Sequence, residues 1–488
     1  MSQLKASADW ADTELWEDAI AYYHSLLAGS TRLSSESISR LKTGLDERKL
    51  TFGGRPLCSV LRPHFFTRKQ FDYVQGVCMA LTEAMDQLGK VIMSDDPALA
   101  SERDRLIEDL ALIPEEIRLL KYDTGYKAVS AHSRLDSFLS PNDGTLHFVE
   151  YNAESPAGSA YEEGLGDLFE TLPVMQEFSK RYTVTRELLK GKLTDMLLNN
   201  YREFLGDKPF KNPNIAIIDW PGVPTLTEFQ LYQEYFAGQG IQSVIADPRD
   251  LTYHDGRLWA GDFPVDLVFK RVLASELLER EAEVMPLIRA YEDGAICMIN
   301  SFRCKIYHKK MIFGLLTDEA NASYFSDEQL GYIARHIPWT RRVRAGKTTY
   351  QGKEVDLETF VLENRDRLVL KPNDEYGGKG IAIGWESDEA SWKAAWDNAL
   401  QDPYVVQEKV VVGKEPYPTI QDDMIVFAER SVDCDPYIFE GKVAGTLTRL
   451  AAAALLNVTA GTGTTVPTFI IEGRGDGPVR PNDPEGCA

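Results

Sequence analysis

The sequence predicts a mixed α/β protein with α+β elements, and three observations carry that reading. Apolar residues recur at helical spacing through most of residues 10–120. Strand and helix signals alternate between residues 212 and 290, the signature of a parallel sheet. Elsewhere, short β-rich runs end in glycine-rich or polar turns, as in a body built from hairpins. With 488 residues the chain is long enough for two or three domains with sizeable cores.

Taken in order, residues 1–120 predict a helical N-terminal layer packed on the main body of the protein. Residues 10–50 place Trp16, Ile20, Tyr23 and Leu26 at helical spacing, and Phe52-Gly53-Gly54-Arg55-Pro56 breaks the pattern. Residues 68–120 return to helix through Phe71-Asp72-Tyr73-Val74 and the run from Ala80 to Met85. Residues 121–205 open the body with a hairpin. Ser133-Arg134-Leu135-Asp136 begins one strand, and His147-Phe148-Val149-Glu150-Tyr151-Asn152-Ala153-Glu154 is its partner. The stretch from Ser140 through Pro141, Asn142 and Asp143 to Gly144 is the turn between them.

Alternate side chains of a strand share a face, so Glu150 and Asn152 point the same way. A carboxylate and an amide oxygen at that spacing suit Mg²⁺, a hard cation. The hairpin brings Asp136 close to both. Arg134 shares a face with Asp136 and could hold an anionic phosphate or carboxylate. The competing reading is an ordinary half-exposed hairpin with satisfied polar residues.

Residues 206–295 read as a separate, Rossmann-like α/β unit. Asn214–Asp219, Ile241–Ala246 and Val265–Arg271 are its strands, and Thr225–Gly238 is a helix with a glycine stop. Ligands of such sheets gather at the carboxyl ends of the strands, where Asp219, Asp247, Lys270 and Arg271 fall. Lys270 and Arg271 could bind a substrate carboxylate or phosphate; a surface ion pair is the alternative.

Residues 296–475 hold the most informative stretch. The strand Arg367–Lys371 runs into Pro372-Asn373-Asp374-Glu375-Tyr376-Gly377-Gly378-Lys379-Gly380. A lysine at the strand end can reach phosphate oxygens, and the glycines let backbone N–H groups cradle a polyphosphate. Glu375 in the same loop could hold the Mg²⁺ of a nucleotide. The Walker A pattern is absent, and a Gly- and Lys-rich surface hairpin is the alternative. Further on, Tyr404-Val405-Val406 is a buried strand, and Gly441–Arg449 reads as strand–turn–strand with Arg449 at its end. The tail from Gly473, with residues 476–488 at its core, is rich in Gly, Pro and charge and reads as a mobile end.

The order Arg-x-Asp, Glu-x-Asn, then much later Lys-Pro-x-x-Glu-x-Gly-Gly resembles the circularly permuted ATP-grasp ligases. Eukaryotic glutathione synthetase and bacterial glutathionylspermidine synthetase show this permuted order. The likeness rests on Arg134-Leu-Asp136, Val149–Ala153, Val369–Pro372 and Val406–Val410, and spans roughly residues 120–470. It is greater toward a further bacterial branch than toward either synthetase.

The resemblance implies a circularly permuted ATP-grasp fold with the α/β unit as an inserted substrate domain. It implies that Asp136, Glu150, Asn152 and Glu375 hold Mg²⁺, two ions in all, and that Lys371, Gly377 and Gly378 meet the ATP phosphates. It makes Gln407-Glu408-Lys409-Val410 the hinge that pairs backbone groups with adenine. It also asks for an earlier lysine on the nucleotide, for which Cys304–Lys310 offers Lys305, Lys309 and Lys310; Lys309 or Lys310 is the choice, and a solvated helix face is the alternative. Arg134 and Arg449 become the catalytic arginines at the acid substrate or acyl phosphate. Asn457–Thr465 resembles a glycine-rich loop of the family but carries threonines among its glycines, which leaves its role open.

The activity implied is ADP-forming carboxylate–amine ligation through an acyl phosphate, with a small-molecule or peptide acid and an amine acceptor as partners. A phosphotransferase using the same site, or a non-catalytic nucleotide-binding regulator, are the rival classes. A homodimer is open, since no interface signature is legible. A formal net charge of −22 opposes nonspecific nucleic-acid binding. No apolar run is long enough for a membrane helix, and the first ten residues lack a signal-peptide core. The 6 cysteines, at 58, 78, 297, 304, 434 and 487, form no C-x-x-C and read as free thiols of a cytoplasmic protein. The 7 histidines show no metal-ligand spacing.

Overall fold

The structure is a computed structural model that describes residues 8–140, 144–451 and 463–473. The hairpin turn at 141–143, most of Asn457–Thr465, Cys487 and the tail therefore lie outside the described residues. The N-terminal helices are Thr13–Gly29, Thr31–Glu47, Arg68–Ile92, Ala100–Leu110 and Pro114–Leu120. Ser30 divides the first two, and its side chain accepts from the Leu33 amide. The buried stripe of the first helix is Trp16, Ala19, Tyr23 and Leu27; Ile20 and Leu26 sit at its margin. Thr67 and Gln70 form a reciprocal capping box at the start of the longest helix.

This region is more than a helical layer. His64–Thr67 is a strand that pairs parallel with Thr468–Gly473, which in turn pairs antiparallel with Tyr182–Thr185. Phe65 stacks on Phe178 at 4.8 Å in one core shared by all three segments. The N-terminal region and the last described strand are thus joined in one sheet.

The central sheet runs in the order Thr464–Val466, Lys442–Ala451, Met424–Phe439, His132–Ser140, Thr145–Asn152, with Lys414–Gln421 also on Met424–Phe439. Its register sets Asp136 opposite Glu150, Arg134 opposite Asn152 and Asp433 opposite Arg449. Here the expected strand–turn–strand over Gly441–Arg449 is corrected. The turn is Glu440–Gly441, and Lys442–Ala451 is one strand with a register shift near Gly445. A Cβ on Gly445 would meet Leu189 at 2.9 Å, so this glycine serves packing rather than a turn.

The inserted unit is a parallel sheet of four strands in the order Cys297–Ile299, Leu267–Lys270, Ile215–Ile218, Ser243–Ala246. Val265–Arg271 is not one strand: Phe263–Val265 joins a small antiparallel sheet with Arg257–Ala260, and only Leu267–Lys270 enters the parallel one. Asn300 fastens the unit to the hairpin. Its side chain accepts from the Ala131 and His132 amides and donates to the His132, Ala153 and Glu154 carbonyls. A last sheet, antiparallel, runs Thr340–Arg342, Tyr404–Glu408, Leu368–Pro372, Ala382–Ile383, and buries Trp392 and Trp396 of the helix Glu389–Ala399.

Candidate active site

The hairpin, the last sheet and the carboxyl edge of the parallel sheet surround one cavity of about 520 Å³. From the hairpin come Arg134, Asp136, Glu150 and Asn152; from the last sheet Lys371, Gln407 and Glu408, followed by Lys409 and Val410; from the glycine loop Gly377 and Gly378; and from the central sheet Arg449. Strand period explains the hairpin set, because Glu150 and Asn152 share the face that the register turns toward Asp136 and Arg134. Several sequence-selected residues stand elsewhere. Asp247, Lys270, Lys305, Lys309, Lys310 and Glu375 do not line the cavity.

The three lysines of the 305–310 segment are buried, so the solvated helix face does not occur. Lys310 Nζ lies 3.0 Å from Glu150 and donates to the Glu375 carbonyl at 2.6 Å. Lys309 turns away, to Glu116 at 2.9 Å and Asp374 at 2.7 Å. Lys305 binds Asp374 and lies 3.5 Å from Glu154, which also accepts from Lys270 at 2.9 Å. Lys270 is therefore fully buried and not part of a surface pair. Lys270, Lys305 and Lys309 thus balance Glu116, Glu154 and Asp374 charge for charge. Burial would raise Asp374, but Lys305 and Lys309 outweigh it and hold it at about 2. Burial and Lys305 push His308, which lines the cavity, down to about 4, so it is neutral at pH 7. This network, with Asn373 bound to Leu110 and Met311, anchors the start of the glycine loop. Beyond Asp374 the loop is exposed, and the Glu375 carboxylate with it.

Lys371 donates to Gln407 Oε1 at 2.7 Å and to the Val149 carbonyl at 3.4 Å. Burial pushes it down to about 8, with Glu150 opposing. Such an ammonium stays mostly charged at pH 7 and gains from an anion. Gln407 also donates to Thr340 Oγ1 at 3.0 Å. In the hinge, the Glu408 and Lys409 amides are taken by the Trp339 and Arg367 carbonyls, both in the range 2.8–2.9 Å. Val410 follows them at the cavity wall. The Glu408 carboxylate accepts from Tyr350, and Lys409 lies 4.2 Å over the Trp385 ring.

The arginines do not stand as free cations. Arg134 binds Asp136 through two contacts, at 2.7 and 2.9 Å. Arg449 holds Asp433 and Asp435 at 2.7 Å and Asp136 at 3.0 Å. Burial would raise Asp136, but Arg134 and Arg449 lower it to about 2. Burial raises Asp433 and Asp435. Asp433 and Asp435 are residues that the sequence reading missed; an Asp-x-Asp pair on one strand face in an otherwise apolar run is the signal that could have shown them. Among the described residues no group of three His, Cys, Asp or Glu converges as a metal cage.

The chain matches the family described as circularly permuted ATP-grasp type 2 over residues 139–451. It belongs to that family. A putative glutamate–cysteine ligase 2-3 of Frankia alni is 26% identical over 184 residues, 36% of this chain and 19% of that protein. A putative glutamate–cysteine ligase 2-2 of Frankia casuarinae is 23% identical over 230 residues, 45% of this chain and 24% of that protein. The chain spans about a quarter or less of these curated relatives. A glutathione synthetase-like effector from Globodera pallida, solved in its apo form, has a TM-score of 0.58 at 14% identity, over 90% of this chain and 98% of its own. That likeness concerns the fold. No helix among the described residues is long and apolar enough to cross a membrane.

Proposed function

We propose that the protein is an ADP-forming carboxylate–amine ligase. One observation carries the reading: segments more than 200 residues apart, Arg134–Asn152 and Lys371–Val410, line one cavity with the residue types that nucleotide phosphates require. A substrate carboxylate attacks the γ-phosphorus of ATP, and the resulting acyl phosphate is opened by an amine. Lys371 neutralises phosphate charge, with Lys310 behind the cavity wall compensating Glu150, and the loop at Gly377 and Gly378 closes over the nucleotide to keep water from the acyl phosphate. The hinge through Val410 receives adenine.

The donor set on the hairpin suits Mg²⁺. Glu150 and Asn152 offer hard oxygens on one face, and with no three-carboxylate cage among the described residues, phosphate oxygens would complete the shell. Bound there, the ion would offset phosphate charge. Asp136 is committed to two arginines and acts by holding them. Because Arg449 is compensated by three aspartates, Arg134 and Arg449 serve the acid substrate as a fixed hydrogen-bonding wall more than as free charge.

The names of the relatives make L-glutamate and L-cysteine the first acid and amine to try. ADP release with Mg-ATP, against pooled amino acids, thiol peptides and polyamines, tests the reading. ADP release that needs both partners, with a product one water lighter than their sum, supports it. A phosphorylated product without condensation replaces it with a phosphotransferase.

A further inference from the structure

The wall given by the parallel sheet carries a group that the reading above leaves unused. Among the described residues, the carboxylates lining the cavity are Asp136, Glu150, Asp219, Glu276, Glu408 and Asp433. Five have side-chain partners. Asp136 is held by Arg134 and Arg449, Asp433 by Arg449, and Glu150 by Lys310. Glu408 accepts from the Tyr350 hydroxyl and Glu276 from the Trp220 indole at 3.0 Å. Asp219 accepts only from the Trp220 backbone amide, at 2.8 Å, and among the described residues has no ion pair within 4 Å.

The fold fixes its place. Ile218 and Lys270 end adjacent parallel strands in register, and the Arg271 amide donates to the Ile218 carbonyl at 2.9 Å. Asp219 and Arg271 therefore stand side by side at the carboxyl edge of the sheet, in the cavity that also holds Lys371 and Glu150.

We propose that Asp219 is the base that takes the proton of the acceptor amine, which docks on the parallel-sheet wall. This rests on the ligase reading. An amine enters at neutral pH as an ammonium and cannot attack until it loses a proton. One proton passes to the Asp219 carboxylate and then to solvent. The nitrogen lone pair forms the C–N bond, the acyl C–O bond breaks with its electrons going to phosphate, and the second nitrogen proton leaves with phosphate.

The surroundings suit this task. Burial pushes the Asp219 carboxyl up to about 6; the Trp220 amide and Arg271 pull it back, Glu276 adds repulsion, and Lys270 attracts. Arg249 and Arg280 flank the Trp220 ring, and Asp247 pairs with Arg249. A carboxylate so placed is ionised at neutral pH and a stronger base than an exposed one.

Hydroxylamine tests the assignment, because it is already unprotonated at neutral pH and captures an acyl phosphate without a base. Wild type and Asp219→Asn are compared with Mg-ATP and L-glutamate, then pooled acids, measuring hydroxamate with hydroxylamine and amide with L-cysteine, then pooled amines. The asparagine keeps the acceptor oxygen for the Trp220 amide. The expected result is a loss of about 100-fold in amide formation, with hydroxamate within about twofold of wild type. Amide formation by wild type should rise with pH through about 6, a limb absent from Asp219→Asn and regained in Asp219→Glu. Equal loss of both products, or of neither, overturns the role of Asp219. No hydroxamate from wild type with any acid overturns the ligase reading itself, and this inference with it.

Discussion

Lys371 and Glu150 are where single side chains decide the proposed chemistry. Lys371 sits at a strand end with two oxygen acceptors and a lowered affinity for its proton, and Glu150 is compensated by Lys310. Replacing either by alanine removes a group that the proposed chemistry directs at phosphate or metal, but little core. Turnover should fall by about 100-fold or more in Lys371→Ala and Glu150→Ala, while circular dichroism shows the wild-type fold. Full activity in either variant would remove the residue from the site. Arg449→Met should behave differently. It leaves Asp433 and Asp435 buried without their cation, a loss on the order of 3–5 kcal/mol in a denaturant titration. Which of these residues are legible in the sequence follows from spacing. Glu150 and Asn152 lie two apart on one strand and can be paired by eye. The embrace of Arg449 by aspartates from two further strands depends on register across the sheet, which sequence does not display.

At the scale of elements, the glycine loop and the long helix show how local sequence is used in opposite ways. Gly377 and Gly378 have φ of 66° and 77°, a region that costs a β-branched residue about 1–2 kcal/mol. The loop is exposed beyond Asp374, so strain there bears on the proposed closure over the nucleotide more than on the fold. Gly378→Val is expected to raise the KM for ATP about tenfold and leave the melting temperature nearly unchanged. An unchanged KM would mean that the loop does not close on ATP. Thr67 instead caps a 25-residue helix at the end of a strand that pairs with the last described strand. Thr67→Ala should cost about 1 kcal/mol of stability without touching KM. The helix start is readable from Thr67 and Gln70. The strand before it is not, because its partner lies some 400 residues later. Likewise Gly445 reads as a turn from local sequence, whereas packing against Leu189 and the register shift keep it within a strand.

For the whole molecule, pairing between segments far apart in sequence puts strongly buried ionisable groups between them, and their combined effect is a pH optimum for stability. Burial pushes His64, His308 and His336 down to about 4, below the ordinary 6.5. The folded state then binds fewer protons than the unfolded one between about pH 4 and 6.5, so stability falls as pH drops through that window. Glu162 acts on the other side. It is buried on the helix Ser159–Phe169 and accepts from the Thr468 amide at 3.0 Å, tying the last described strand to the body. Burial raises it to about 8, from an ordinary 4.5. Its folded form keeps a proton that the unfolded chain has lost, and stability falls as pH rises from about 4.5 toward 8. Above about 6.5 the three histidines no longer contribute to the slope, and Glu162 adds a downward one, in the same sense as Asp433 and Asp435, which burial also raises. The melting temperature should therefore peak near neutral pH and decline toward pH 8. Glu162→Gln keeps an oxygen for the Thr468 amide and has no proton to lose. It should flatten that alkaline decline while leaving the acid limb in place, as scanning calorimetry across the two windows would register. An alkaline slope as steep in Glu162→Gln as in wild type would assign the decline to other groups and show that Glu162 ionises in the folded protein as it does in the unfolded chain.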